Sequence, residues 1–487
     1  VHQLFDTLQF RVLRDRLYAT LETPDPEADS GFDVQVQALE PGGLAAWLDA
    51  HAGDETSAGV SVRGRWGRGT GDVELVAVAA ADGQGVALDP TQIDSRDHDA
   101  LAAWLRDPSR RKVLHDAKGP SHALLAAGLP LDGLAADTAL SAFLVLPGQR
   151  SYDLADLVIR FTSHDLRTDD GPVAEQTQLS LDGGDEQQHS EEEVVKARAV
   201  LDLAAALDSE LDDRGGRRLL DEVELPLVDV LARMERAGIA VDHDYLVGLE
   251  SEFSAQVADA AQDAHAAIGH EVNLGSPKQL QAVLFDELDM PKTKRTKTGY
   301  TTDADALADL FVKTEHPFLA ALLRHRDATR LRTTVEGLLK CVDSDGRIRT
   351  TFNQMIAATG RLSSTDPNLQ NIPVRTDAGR RIRAAFVVGD GYESLLTADY
   401  SQIEMRIMAH LSGDDVLVEA FSSGADFHAA TASRVFGVPE HEVGGEQRAK
   451  IKAMNYGLAY GLSAFGLSRQ LTISVGEAQA LMDDYFS

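Results

Sequence analysis

The sequence predicts an α/β domain joined to a longer, mainly helical region, and three observations carry that expectation. Over the first 215 or so residues, short β-like runs such as VELVAVAAA (73–81) alternate with Ala/Leu-rich helical runs such as ALAAWLRD and SHALLAAGL, the pattern of sheet strands covered by helices. From 217 to 345, apolar residues recur near the helical spacing of 3.6. The 487 residues, 43% hydrophobic and 25% charged, suffice for two to four globular domains with buried cores.

In chain order, the opening stretch VHQLFDTLQFRVLRDRLYATL places charges every few residues. It therefore predicts an amphipathic helix over 1–30 rather than a secretory signal or a membrane span. Segment 168–193 loses hydrophobicity and gains Gly, Gln and acid, which predicts a loop or partly disordered insertion in the α/β domain. Further on, LPLVDVLARMERAGI reads as a helix stopped by Gly, and SPKQLQAVLFDEL opens on a Ser cap with Pro in the first turn. Between the helices lies KTKRTKTGYTT (292–302), basic and almost without apolar anchors, and expected to be mobile. The single cysteine, Cys341, excludes an intramolecular disulfide or a cysteine zinc cluster, fits a reducing cytoplasm, and is expected to be inert packing.

A formal net charge of −32 argues against a nucleic-acid partner only if the charge is evenly spread. From Lys292 to Arg383 there are 17 Lys and Arg against 10 Asp and Glu, a local +7, so a basic insert sits in an acidic chain.

In LLTADYSQIEMRIMAHLSG (395–413) an apolar run delivers Asp399 to an expected strand end. Ser401 and Glu404 have the S-x-x-E spacing of a capping box, and Gly413 is the expected helix stop. In EQRAKIKAMNYGLAYGLSAFG (446–466), Arg448, Lys452, Tyr456 and Tyr460 stand four apart. On a helix each such step drifts only about 40°, so they form one slowly turning stripe. Two cations followed by two aromatics suit a nucleoside triphosphate, the cations meeting phosphate and the rings sugar and base. The same spacing also fits a helix with solvated charges and core aromatics. TGRLSSTDPNLQNIPVR (359–375) carries Arg361, Asn368, Gln370 and Asn371 in a segment too polar for a core. Such donors can meet the acceptors that every base pair offers in the minor groove.

These blocks carry a resemblance. DYSQIEMR resembles the first polymerase motif of family A DNA polymerases, RAKIKAMNYGLAYG resembles their nucleotide-binding fingers helix, and TGRLSSTDPNLQNIP is similar to the palm segment that tracks primer-template. The blocks occur in the family's order, and the resemblance runs from about residue 217 to the end. It implies a right hand of thumb, palm and fingers beside a 3′-5′ exonuclease-like (RNase H-like) domain. The implied divisions are a linker helix (1–30) following a 5′-nuclease domain, an exonuclease-like domain (31–215), thumb (216–345), first part of the palm (346–415) and fingers (416–487). It further implies a DNA polymerase using dNTPs, primer-template DNA and two Mg2+ ions, monomeric, cytoplasmic and nucleoid-associated, acting in repair and gap filling.

Residue by residue, the resemblance implies that Asp399 and the Tyr400 carbonyl bind metal. Arg448 and His428 would grip phosphates, and Lys452 would neutralise the triphosphate and protonate pyrophosphate. Gln402, Tyr456 and Tyr460 would line the nucleotide site, while Glu404 would crowd a ribose 2′-hydroxyl. Lys294, Arg295 and Lys297 would form the thumb tip on DNA, with Arg361, Asn368, Gln370 and Asn371 on the duplex.

The pattern departs from the family in two places. The second metal-binding aspartate belongs to a His-Asp-Glu block beyond the fingers, so the chain is expected to be truncated within the palm. Asp483 and Asp484 are expected on a solvated helix face. In the exonuclease-like domain, Arg63 and Arg65 stand where Asp-x-Glu is expected, Pro120 takes a later aspartate position, Asp137 persists, and Val195 and Ala199 replace Tyr-x3-Asp. Cations at carboxylate positions reverse such a site's electrostatics, so an inactive proofreading domain is expected. The alternatives are a non-catalytic primer-template binding module, for this segment alone, and a 3′-5′ exonuclease.

Overall fold

The computed structural model describes every residue except 1–30, 55, 167–183, 298, 375, 424–425, 460, 472 and 487. The helix expected over 1–30 and the candidate Tyr460 therefore lie outside the described residues. The chain divides into two compact units at Glu393/Ser394.

The first unit opens on a six-stranded sheet. Its strands are β1 (Gln35–Val36), β2 (Ser57–Gly67), β3 (Thr70–Ala79), β4 (Gln84–Leu88), β5 (Arg111–Leu114) and β6 (Leu134–Asp137), in the order β1-β4-β3-β2-β5-β6. Strands β2, β3 and β4 run as an antiparallel meander, while β5 and β6 extend the sheet in parallel from β2. Helices α1 (Leu44–His51), α2 (Ser95–Arg106), α3 (Lys118–Ala126), α4 (Thr138–Val145), α5 (Leu154–Thr162) and α6 (Gly184–Asp213) cover it. Val194 and Ala197 of α6 pack on Ala77 and Ala79, and Val200 and Ala204 pack on Val113 and Ala136. The approach is close enough that a Cβ at Gly59 of β2 would stand 2.0 Å from the Ala197 carbonyl oxygen.

Residues 184–193, expected in a loop, instead form the first turns of α6. Gln and Glu are good helix formers, and Gln187 donates to Glu191 and Gln188 to Glu192 one turn on. The polarity marks a solvated helix start rather than a loop.

A helical turn (Arg217–Leu219) and a π-helical turn (Leu220–Glu224) lead into α7 (Leu225–Ala237), which Gly238 ends at φ 57°. After β7 (Ile239–Ala240) come α8 (His243–Ile268), capped by Asp242 and stopped by left-handed Gly269, and α9 (Pro277–Gln281), capped by Ser276. The expected mobile segment is a hairpin, β8 (Arg295–Thr296) with β9 (Gly299–Tyr300). It is anchored by the Tyr300 amide donating to Gln281 (2.8 Å), the Tyr300 ring against Phe285 (5.3 Å) and Thr293 Oγ1 donating to the Thr301 carbonyl. Helices α10 (Ala304–Thr314) and α11 (Pro317–Leu339) follow, α11 packing along α8, with Leu249 and Phe253 sharing a core with Val335 and Leu338. The unit closes with β10 (Arg347–Ile348), paired to β7, the β11 (Thr351–Asn353) and β12 (Ser363–Thr365) hairpin, and α12 (Asp377–Ala384).

The second unit is helical: α13 (Ile403–Ser412), α14 (Asp415–Ser422), α15 (Phe427–Phe436), α16 (Gly445–Ala459), α17 (Ala464–Leu471) and α18 (Val475–Phe486). Ala432, Ile451, Met454, Leu467 and Ala478 form its core.

Candidate functional site

Asp399 does not end a strand. Residues 393–400 are exposed and without regular secondary structure, with Tyr400 80% exposed. A lone strand leaves its amides and carbonyls unpaired, and no described strand pairs with this apolar run. The expected capping box is also absent. Helix α13 begins at Ile403, with Gln402 at the cap in the left-handed region (φ 54°) and no side-chain cap, while the Ser401 carbonyl accepts from Arg406 Nε (3.0 Å). Glu404 thus sits in the first turn, where the helix dipole favours a carboxylate, and Gly413 ends the helix as expected.

Glu404 does meet the aromatic stripe. With Met405, Ile407, Met408, Leu411 and Ser412 of α13, and Tyr456 of α16, it lines a largely apolar cavity of about 570 Å³. Arg448, Lys452 and Tyr456 all lie on α16. Asp426 organises the neighbouring end of α15: one oxygen caps the helix by accepting from the amides of His428 and Ala429, and the other accepts from Arg448 Nε at 2.6 Å. Burial pushes the Asp426 carboxyl up, but these bonds and the arginine's charge prevail and hold it below the usual range.

His428 is 1% exposed, its ring 5.9 Å from that of Tyr456. Asn455 Nδ2 donates to His428 Nδ1 at 2.9 Å, which assigns the ring proton to Nε2. Nε2 is buried without a partner. Burial, then the nearby Arg448 charge, lowers the imidazole pKa despite Asp426. His428 is therefore a neutral N–H donor rather than a cation. Sequence reasoning missed Asp426 and Asn455. The signal for Asn455 was a polar residue at buried helical spacing from Ile451 and beside Met454; that for Asp426 was an acid directly before a helix.

In the first unit, Lys294, Arg295 and Lys297 are exposed on the β8–β9 hairpin, with no ion pair among the described residues. Other cations of the basic insert are neutralised, as in Arg324–Asp263, Arg349–Asp343 and Arg381–Glu252. Arg361, Asn368, Gln370 and Asn371 are exposed. Two of them also brace their own loop: Asn368 Oδ1 accepts from the Gln370 amide (3.0 Å), and Gln370 Nε2 donates to the Leu362 carbonyl (3.0 Å). Asp483 and Asp484 are exposed on α18.

The sheet domain has a cavity of about 240 Å³ between β2, α5 and α6, lined among others by Ser61, His115, Asp153, Glu193 and Lys196. The expected arginines do not line it. Arg63 pairs with Glu74 of β3 at 3.6 Å, and Arg65 is exposed. The cation here is Lys196, 3.5 Å from buried Glu193, which also accepts from Ser61 Oγ (3.3 Å). On α6 the lining residues are Glu193, Lys196 and Val200, the last two one position beyond the expected Val195 and Ala199. Asp137 is committed to the backbone, its oxygens accepting from the amides of Asp116, Ala117, Ala139 and Leu140. Burial and the charge of Asp116 push its carboxyl up to about 6 against those donors.

The first unit thus carries a six-stranded sheet covered by helices and the second a helix with a stripe of cations and an aromatic, and comparison with known proteins gives the family. The family model for DNA polymerase family A matches residues 243–487, and that for the DNA polymerase I ribonuclease H-like domain matches 72–171. The chain belongs to DNA polymerase family A. It is 60% identical over 490 residues to DNA polymerase I of Mycobacterium tuberculosis, covering 100% of this chain and 54% of the relative. It is 56% identical over 496 residues to that of Mycobacterium leprae, covering 100% and 54%. The chain thus spans about half the length of these curated relatives. A solved structure, the POL domain of Pol1 from M. smegmatis in complex with DNA primer-template and dNTP, matches with a TM-score of 0.84 and 56% identity, covering 93% of this chain and 76% of that one.

Proposed function

We propose that this chain carries out template-directed DNA synthesis, adding dNTPs to a primer 3′ end in repair and gap filling. The observation that carries this reading is the convergence of anchored Arg448, exposed Lys452, the unpartnered Nε2–H of His428 and Tyr456 along α15 and α16, with Glu404 across a shared cavity. Arg448, fixed by Asp426 through Nε, offers its remaining N–H groups to phosphate, and His428 adds a neutral donor that would otherwise remain buried and unsatisfied. Lys452 supplies the charge that neutralises the triphosphate and the proton for departing pyrophosphate. Tyr456 packs on the sugar, and Glu404 crowds a 2′-hydroxyl. The hairpin cations and the polar loop hold primer-template.

The Asp399 carboxylate and Tyr400 carbonyl, both on exposed chain, are hard oxygen donors of the kind Mg2+ prefers. When bound, such ions activate the primer 3′-hydroxyl and stabilise the leaving pyrophosphate. We read 216–345 as thumb, 346–415 as palm and 416–487 as fingers, and 31–215 as an exonuclease-like scaffold without editing activity. Ser61 and Lys196 in its cavity, and an Asp137 committed to amides, support that last point. The enzyme works as a cytoplasmic, nucleoid-associated monomer. No described helix is long and apolar enough to cross a membrane.

The test is primer extension by Asp399→Asn in the intact protein. Activity should fall by about 10³-fold or more, as for loss of a group that steadies transition-state charge, with primer-template affinity within about twofold of wild type. Extension at near wild-type rate would remove the metal assignment.

A further inference from the structure

Glu235, near the end of α7, is 2% exposed and has three partners from two different parts of the first unit. Lys118 and His122 come from α3 on the sheet domain: Lys118 Nζ meets Oε1 and His122 Nε2 meets Oε2, both at 2.6 Å. The third partner is the Phe352 amide of β11, donating to Oε1 at 2.7 Å. Burial pushes the Glu235 carboxyl up, but the bonds from His122 and Lys118, the lysine's charge and the Phe352 amide together hold it below its usual range.

Everything around this carboxylate fixes the same helix end. Arg349 Nε donates to the Arg236 carbonyl (2.9 Å) and Arg347 Nε to that of Ala237 (2.6 Å). The turn between β2 and β3 lies so close that a Cβ at Gly69 (φ +72°) would stand 2.7 Å from the Glu235 carbonyl oxygen. At the opposite end of α7, Gln354, just past β11, donates to the Glu224 carboxylate (2.7 Å) and carbonyl (3.1 Å), with both side chains buried. Phe352 pairs with Ser364 of β12, and the connection between the two strands, 354–362, carries Arg361 one residue before its end. Ser364 Oγ accepts from the Leu369 amide (3.1 Å) and donates to Asn368 Oδ1 (3.4 Å). Hydrogen bonds from Lys118 and His122 thus reach the hairpin at Phe352 through Glu235, and the Ser364 that stands opposite Phe352 in the ladder is bonded into the polar loop.

We propose that Glu235 is a positioning residue through which the sheet domain sets the β11–β12 hairpin, and with it the grip of Arg361 and Asn368 on primer-template. The proposal rests on the reading of that loop as a DNA contact. The scaffold domain thereby shares in holding substrate without touching it.

The experiment measures primer-template affinity of the full chain by fluorescence anisotropy, well below its melting temperature. Variants are Glu235→Gln, Lys118→Met, Lys118→Arg, Arg361→Ala and the double Lys118→Met/Arg361→Ala. Glu235→Gln and Lys118→Met should each weaken binding about five- to tenfold in folded protein, and Lys118→Arg, which keeps the ion pair, should restore it to within about twofold. The double variant should lose less than the product of the single losses, because both act on one hairpin; independent sites would multiply. Unchanged affinity in folded Lys118→Met, or strictly multiplicative losses, would overturn the proposal, even if Glu235→Gln failed to fold. Failure of the wild type to bind primer-template, or an Arg361→Ala variant that binds normally, would instead strike the DNA-contact reading.

Discussion

Tyr456 differs from phenylalanine by one oxygen, and its position makes that oxygen consequential. The ring stands 5.9 Å from that of His428, and Tyr456 lines the Glu404 cavity, the space proposed for the sugar. A normal dNTP directs its own 3′-hydroxyl toward its phosphates, and a dideoxynucleotide leaves those acceptors without a donor. Tyrosine supplies the donor. A hydrogen bond to a charged group is worth about 1.5–3 kcal/mol, or roughly ten- to a hundredfold in selectivity. The protein should therefore accept dideoxynucleotides readily, and Tyr456→Phe should restore discrimination by that factor with little loss of normal extension. Measuring kcat/KM for ddNTP and dNTP in both proteins checks this, and equal ratios would place the hydroxyl outside the sugar pocket. At this scale the stripe of Arg448, Lys452 and Tyr456 was legible because a regular helix turns spacing into a shared flank. Asp426 and Asn455 were not, because partners of a site residue are chosen by packing between helices. The charge of His428 escaped for the same reason: sequence shows an imidazole but not the burial that keeps it neutral.

Among elements, the β8–β9 hairpin is the clearest instrument. Lys294, Arg295 and Lys297 project from it without ion pairs among the described residues, whereas Arg324, Arg349 and Arg381 are neutralised in place. Counterion release should then come from few positions. Changing the three hairpin cations to glutamine should weaken binding of all DNA sequences alike and lower the log-log salt slope by about one unit for each lost phosphate contact. Salt titrations of affinity test this, and an unchanged slope would detach the hairpin from DNA. Helices with explicit start and stop residues were readable, as Ser276 before Pro277 and Gly413 after Ser412 illustrate. Elements that depend on a neighbour were not. The apolar run before Asp399 lacks a pairing strand among the described residues, and left-handed Gln402 displaces the cap expected at Ser401. The acidic run before Val194 hid a helix start, because solvated helix and loop share a composition.

For the whole molecule, the division of labour predicted for the sheet domain is that it holds but does not edit. Pure protein should show no metal-dependent shortening of a mismatched primer under conditions that support extension. Shortening abolished by changes at Asp116 and Asp137 would contradict this. The outline of that domain was readable from alternating strands and helices, but its cavity was not, because a one-residue slip on α6 exchanges the lining residues for Val195 and Ala199. The ion pair found there, Lys196 with buried Glu193, also bears on how such a domain can change over time. Replacing Lys196 alone would strand a buried carboxylate, and introducing an acid at Ser61 alone would set a second negative charge against it. Each single step toward a cation-binding pocket thus passes through a less stable protein, so positions 61 and 196 are expected to change together rather than one at a time.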